Sequence, residues 1–360
     1  MVSIGGLFAT VWWVARICFR FCGSGGFLVW RWLSGMAKFK AIFLYQELWE
    51  VERFRAGVGD EMEVVGFPQV TDVAEVGSTH FDADMVVGGR GVQSADTGRL
   101  FSKLKLIQTL SAGTDTIPKV EMSEMGIRVA NNMGGNAVAV AEVTVALMVS
   151  TYRRLMVQWD HTNNKGIYGA EFTEDWGRFH ELTGKRIGII GLGQIGSRVA
   201  KRLVGWECEV VYSDVKSYSV EYESAAGAAR VDFDELIETS DVISLHVPLD
   251  RSTEKILSDR EFGLMKPGAI VVNACRGPVV DEAALIRALD DGQIAGAGLD
   301  VTEIEPIEMA NSLIGRDNVV LLPHRAGLSV EARQKSVDNA VGNARLLMAG
   351  KDSEGIVLPV

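Results

Sequence analysis

No aspartate or glutamate precedes Glu47 in this 360-residue chain. The same opening segment holds Arg16, Arg20, Arg31, Lys38 and Lys40, so its charge is of one sign. Cysteine is scarce: Cys18, Cys22, Cys208 and Cys275 form no CxxC pair. Their spacing suits neither a zinc site nor a disulfide framework, so no metal site is expected. A secreted, disulfide-stapled scaffold is thereby excluded, and a reducing, cytoplasmic setting fits. Basic residues are in deficit overall, with 36 Lys and Arg against 47 Asp and Glu and a net charge of −11. A nucleic-acid binder needs a basic face, so nucleic acid is not an expected partner. An apolar run of about 20 residues, long enough to span a membrane, is also missing at the start. Arg16 and Arg20 interrupt "LFATVWWVARICFRF", and a secretory signal would carry its charge ahead of the apolar run.

What is present is apolar enough for a sizeable core. Hydrophobic residues make up 47% and charged residues 23%, and the length suits two domains. Residues 1–37 stand apart as an apolar, basic leader. Met36 opens "MAKFKAIFLYQELWE", which reads as the natural start of a soluble α/β domain. The leader therefore reads as a start-site artefact. Organelle targeting, or membrane contact through residues 1–35, are the alternatives.

From residue 39 onward, short apolar runs alternate with helical stretches. "KAIFLYQ", "MEVVGF", "ADMVVGG", "LKLIQTL" and "IRVANN" read as strands. Such spacing implies βαβ units and parallel sheets, an α/β fold. Residues 137–158 are long, apolar and rich in Ala, Leu and Met, which predicts a buried helix. A loop is expected over residues 160–185. A second alternation then runs through "RIGII", "CEVVYSD", "DVISLHVPL", "GAIVVNACRG", "GQIAGAGLDV" and "NVVLLPH", and closes with a helix over residues 328–349.

The motif "GLGQIG" places Gly191, Gly193 and Gly196 directly after the strand "RIGII". A tight turn, a bare backbone for pyrophosphate and a close helix each favour a residue without Cβ. The helix N-terminus adds N–H donors for phosphates. Asp214 ends the next strand, where a carboxylate can accept from both ribose hydroxyls and repel a 2′-phosphate. NAD is therefore expected and NADP less so, although Lys216 and Arg202 weaken the preference. Further on, Arg276, Glu305 and His324 follow three later strands. The carboxyl ends of an open parallel sheet form its ligand crevice.

These motifs, together with "HVPLDRST", "LMKPGAIVVNACRGPVVDE", "LDVTEIEP" and "LPHRAG", resemble the D-isomer-specific 2-hydroxyacid dehydrogenase family. The likeness runs from about residue 39 to residue 350. It implies two Rossmann-like, doubly wound domains. The NAD-binding domain, residues 137–324, is inserted into a substrate-binding domain split over 38–136 and 325–352. It implies Arg276, Glu305 and His324 as catalytic residues. The loop "LSAGTD" supplies Ser111, Ala112 and Gly113, with Arg276, to the substrate carboxylate. Around NAD it places Gly191, Gly193, Gln194, Ile195, Gly196 and Asp214. His246, Pro248, Thr253, Ala274, Cys275, Asp300 and His324 complete that set. A homodimer is implied as well. Two departures stand out. Met133-Gly134 occupies a hinge position where proline is usual, and Arg325 puts a second cation beside His324.

A 2-oxo acid offers a carboxylate beside a carbonyl. Arg276, forked and always charged, can hold both oxygens. His324 would give a proton to the oxygen that gains charge, with Glu305 orienting the ring. The expected activity is hydride transfer between NAD(H) and C2 of a D-2-hydroxy or 2-oxo acid. The alternative use of this fold is a non-enzymatic NAD(H)-sensing interaction protein. Taken alone, Cys275 reads as a buried strand-end thiol, and His246 as structural or cofactor-packing.

Overall fold

The computed structural model describes residues 39–69, 71–88, 95–171 and 176–358. The expectations for the leader fall outside them, as do Cys18 and Cys22. The segment "FKAIFLY" forms β1 (Phe39–Tyr45), and Ala41 to Leu44 are completely buried. A run without polar alternation marks a strand covered on both faces. There follow α1 (Leu48–Val58), β2 (Met62–Pro68), α2 (Val73–Thr79), β3 (Met85–Val87) and α3 (Ala95–Arg99). After them come β4 (Leu106–Gln108), α4 (Lys119–Glu124) and β5 (Arg128–Ala130). The five strands are parallel, in the order β2-β1-β3-β4-β5.

Helix α5 (Ala137–Tyr152) leads to a second sheet and packs against it. Its close approach depends on β11 (Ile294–Leu299), where glycine alternates with alanine. A Cβ on Gly298 would lie 2.9 Å from Thr151 Oγ1 and 3.0 Å from Leu147 Cβ. The second sheet contains β6 (Arg186–Ile190), β7 (Glu209–Ser213), β8 (Ala229–Arg230), β9 (Val242–Leu245), β10 (Ala269–Asn273), β11 and β12 (Val319–Leu321). Its order is β12-β11-β10-β9-β6-β7-β8, all parallel. The order reverses between β6 and β9, so a crevice opens at their carboxyl ends. Helix α6 (Leu155–Lys165) precedes this sheet. Between its strands lie α7 (Gly196–Leu203), α8 (Val220–Ala226), α9 (Phe233–Thr239), α10 (Asp259–Leu264) and α11 (Glu282–Asp290).

The last helix, α12 (Val330–Met348), returns to the first sheet. Its Val337, Ala340, Val341, Ala344 and Leu347 share a core with Phe43, Phe54 and Leu106. The tail then follows β5, with Asn131 N donating to Gly355 O and Val357 N to Val129 O. The first unit is thus built from both ends of the described chain, an α/β pair of doubly wound sheets.

One helix expectation is corrected. The helix expected over 137–158 stops at Tyr152, and Arg154 takes a left-handed φ of 47°. Helix α6 then starts at Leu155 and runs into the segment read as loop. Apolar composition continues past the break, but Leu155 and Met156 are exposed. Tyr152 is the last residue of α5 in the second sheet's core, where its hydroxyl donates to Asp241 O, and the chain turns at Arg154. Among the described residues no helix is long and apolar enough to cross a membrane.

Candidate active site

The glycine turn after β6 meets all three demands of a phosphate cradle. Gly191 has φ +93°, and a Cβ there would stand 2.7 Å from His246 O. Around Gly193 a Cβ would meet nothing within 4 Å, which leaves open space for a ligand backbone. A Cβ on Gly196 would fall 2.0 Å from Gly191 O, so glycine lets α7 begin against the turn. Open N–H groups at that helix start suit a pyrophosphate. The Gln194 side chain accepts from Arg198 and lies beside Gly134 in the linker. Ile195 packs with Val140, Ala274 and Ala326.

At the end of β7, Asp214 Oδ2 accepts from Leu192 N at 2.8 Å and from the Tyr218 hydroxyl at 3.1 Å. Its carboxylate therefore sits on the glycine turn, where a dinucleotide's ribose would lie. Arg202, flagged from sequence, turns away to Glu142. Arg230, unremarked in the sequence, donates to Asp214 O, Lys216 O and Ser217 Oγ. No motif marks it, because it reaches this loop only through the pairing of β7 with β8.

His246 follows β9. Its Nε2 pairs with Ser244 Oγ at 2.9 Å, while buried Nδ1 has no partner. Burial pushes its pKa down to about 3, so the ring stays neutral. The Thr253 hydroxyl donates to Pro248 O at 2.6 Å and braces the loop after β9. Cys275 is a buried free thiol beside Asn273 Oδ1, and burial pushes its pKa up.

Arg276 and Glu305 belong to loops that lock together. A Cβ on Gly277 would fall 1.7 Å from Thr302 O, so only glycine permits this backbone contact. Thr302 N donates to Glu305 Oε1 at 3.3 Å. The other carboxylate oxygen, Oε2, pairs with His324 Nδ1 at 2.6 Å. His324 itself has a left-handed φ of 54°, a conformation that costs a non-glycine residue energy and is held by its surroundings. Here His324 N donates to Asp300 O, and the next two amides, Arg325 N and Ala326 N, donate to the Asp300 carboxylate. Asp300 is buried, which raises its pKa against those donors. Its oxygens anchor the His324 turn.

Across the cleft, the loop after β4 carries Ser111, Ala112 and Gly113. Among the described residues no acceptor takes their backbone N–H groups. A Cβ on Gly113 would lie 1.8 Å from Arg276 Nη2, so the guanidinium rests directly on this loop. Three open amides and a forked cation meet at one place. This is the chemistry of a carboxylate site.

Comparisons with known proteins agree with this architecture. Residues 145–326 match the family model described as "D-isomer specific 2-hydroxyacid dehydrogenase, NAD binding domain". The chain is 38% identical over 259 residues to a glyoxylate reductase of Thermofilum pendens, covering 71% of this chain and 75% of that protein. The apo form of Rhodotorula graminis D-mandelate dehydrogenase superposes with a TM-score of 0.79 at 27% identity, covering 89% of this chain and 98% of that one. An acyclic imino acid reductase, solved with NADPH and D-Arg, gives a TM-score of 0.75 at 30% identity over 89% of this chain and all of its own. The chain belongs to the D-isomer specific 2-hydroxyacid dehydrogenase family.

Proposed function

We propose that this protein is a 2-oxo acid reductase in which Arg276, Glu305 and His324 carry the chemistry. When bound, a nicotinamide dinucleotide supplies or accepts the hydride. The Gly191–Gly196 turn and Asp214 are the residues that would hold it. The observation that carries the reading is the 2.6 Å pair between His324 Nδ1 and Glu305 Oε2. With Nδ1 committed, Nε2 is the nitrogen left for a substrate oxygen. Reduction needs a proton there, and Glu305 supplies the balancing negative charge.

Arg276 orients the substrate. Its guanidinium faces the carboxylate and stabilises charge that develops on the neighbouring oxygen. The open amides of Ser111, Ala112 and Gly113 complete the grip on the carboxylate. Asp214 beside the turn favours NADH over NADPH, because a 2′-phosphate would meet a like charge. Exposed Leu155, Met156 and Trp159 on α6 support a homodimer, since such patches commonly mark subunit contacts. The free thiols of Cys208 and Cys275 support a cytoplasmic setting.

The test is a panel of small 2-oxo acids, glyoxylate included, with NADH and with NADPH, followed by nicotinamide absorbance. His324→Ala and Arg276→Ala should each lose about a hundredfold or more of kcat. A His324→Ala enzyme with near-normal turnover would refute the assignment. Equal use of both cofactors would refute the role given to Asp214.

A further inference from the structure

We infer that Asp115 is a positioning residue for Arg276, acting from the opposite unit. The inference rests on the role proposed above for Arg276. The Arg276 guanidinium has five N–H donors. Its Nε donates to Asp115 Oδ2 at 2.7 Å, and its Nη1 donates to Cys275 O at 2.6 Å. Nη2 lies against Gly113, where a Cβ would fall 1.8 Å from it. The Asp115 carboxylate borders the same glycine, with Oδ2 3.0 Å from that Cβ position. Two donors are thus committed, and only the Nη1–Nη2 end of the fork remains for a ligand.

The pair spans the cleft. Asp115 belongs to the loop after β4 in the first sheet, and Arg276 to the loop after β10 in the second. Their side chains are 41% and 26% exposed. An ion pair this open to water adds little to stability. Its consequence is geometric. It fixes the rotation of the guanidinium plane and sets the separation between the anion loop and Arg276. A neutral acceptor in its place would hold the plane equally well. Asparagine offers that acceptor and alanine does not.

The experiment compares Asp115→Ala, Asp115→Asn, Arg276→Ala and the Asp115→Ala/Arg276→Ala double variant. It reads kcat and KM for glyoxylate, Kd for oxamate on the NADH complex, and the thermal midpoint. Asp115→Ala should lose about tenfold or more in kcat/KM, mostly in kcat, because a misplaced clamp misaligns the reacting atoms. Asp115→Asn should stay within about threefold of wild type, because the bond to Nε survives. In the Arg276→Ala background, adding Asp115→Ala should change neither kcat nor oxamate affinity, since the residue acts through Arg276. Thermal midpoints should match throughout. An Asp115→Ala enzyme with wild-type kinetics beside an inactive Arg276→Ala overturns the inference alone. So does an undiminished Asp115→Ala effect without Arg276, or an Asp115→Asn loss equal to that of alanine. Near-normal turnover by Arg276→Ala overturns both this inference and the reading it rests on.

Discussion

Two histidines at strand ends have opposite surroundings. His324 is half-exposed and paired with a carboxylate, while His246 is half-buried beside Ser244. A proton added at His246 Nδ1 would meet no acceptor, and desolvation opposes the charge. The folded pKa is near 3, whereas an unfolded histidine titrates near ~6.5. Between those values the unfolded chain binds a proton that the folded chain refuses. Stability from this group is therefore complete above the unfolded value and declines as pH falls below it. Moving from pH ~7 to ~5 should cost the wild type about 2 kcal/mol more than His246→Asn. Urea unfolding of both proteins at the two pH values measures that difference. Equal losses would show that the ring is not held neutral by the fold. The two rings thus differ in surroundings: His246 is held neutral beside Ser244, while His324 is exposed and paired with Glu305.

Helices are held here by partners that sequence patterns do not reveal. Glu50 on α1 is 1% exposed, and both its oxygens accept from the guanidinium of Arg333 on α12. Oε2 also accepts from Gln46 N at the start of α1. This fork ties the last helix to the first. Removing one partner buries an unpaired charge, so Glu50→Ala should cost about 3–5 kcal/mol. A Glu50→Leu/Arg333→Leu double variant should recover most of that loss, because no charge is left stranded. Denaturant midpoints decide, and a single variant costing under about 1 kcal/mol would contradict the argument.

Pairings of this kind explain what could be read from the chain. Gly191, Gly193 and Gly196 were legible because a turn that excludes Cβ at its first and last glycine, and leaves open space at the middle one, leaves its mark in a six-residue window. Arg276, Glu305 and His324 were legible as a cation, a carboxylate and an imidazole following successive strands. The partners of those residues were not: Asp115 and Arg230 reach their sites through folding over long sequence separations. Helix α6 was missed for another reason. "LMVQWDHTNNK" buries only Val157, so no apolar stripe announces it.

The molecule is two sheet units joined by two linkers, and the linkers touch. Residues 131–136 leave the first unit, with Met133 at φ 47° and Gly134 at φ 76°. A proline at position 133 would be locked near φ of about −65°, so the left-handed turn accounts for the departure noted in the sequence. The return linker follows His324. A Cβ on Gly327 would stand 2.6 Å from the side-chain Nδ2 of Asn136. His324, the proposed acid–base residue, is thus three residues from the point where the two crossings meet. Any splaying of the linkers moves His324 relative to the Ser111, Ala112 and Gly113 loop on the other unit. The glycine turn and Asp214 lie wholly within the second unit and need not follow. Gly327→Val should therefore lower kcat/KM for a 2-oxo acid by about ten- to a hundredfold, the scale of a small misplacement at a reacting centre. NADH affinity, read by fluorescence titration, should hold within about threefold, because its cradle is built by one sheet. A parallel fall in both would place the damage in the second unit itself. Unchanged kinetics would mean that the linker contact does not set the cleft. The nearest atom is the end of the Asn136 side chain, which can turn aside for a single methyl, so valine is the substitution of choice because its two further γ-carbons demand more room at the linker contact.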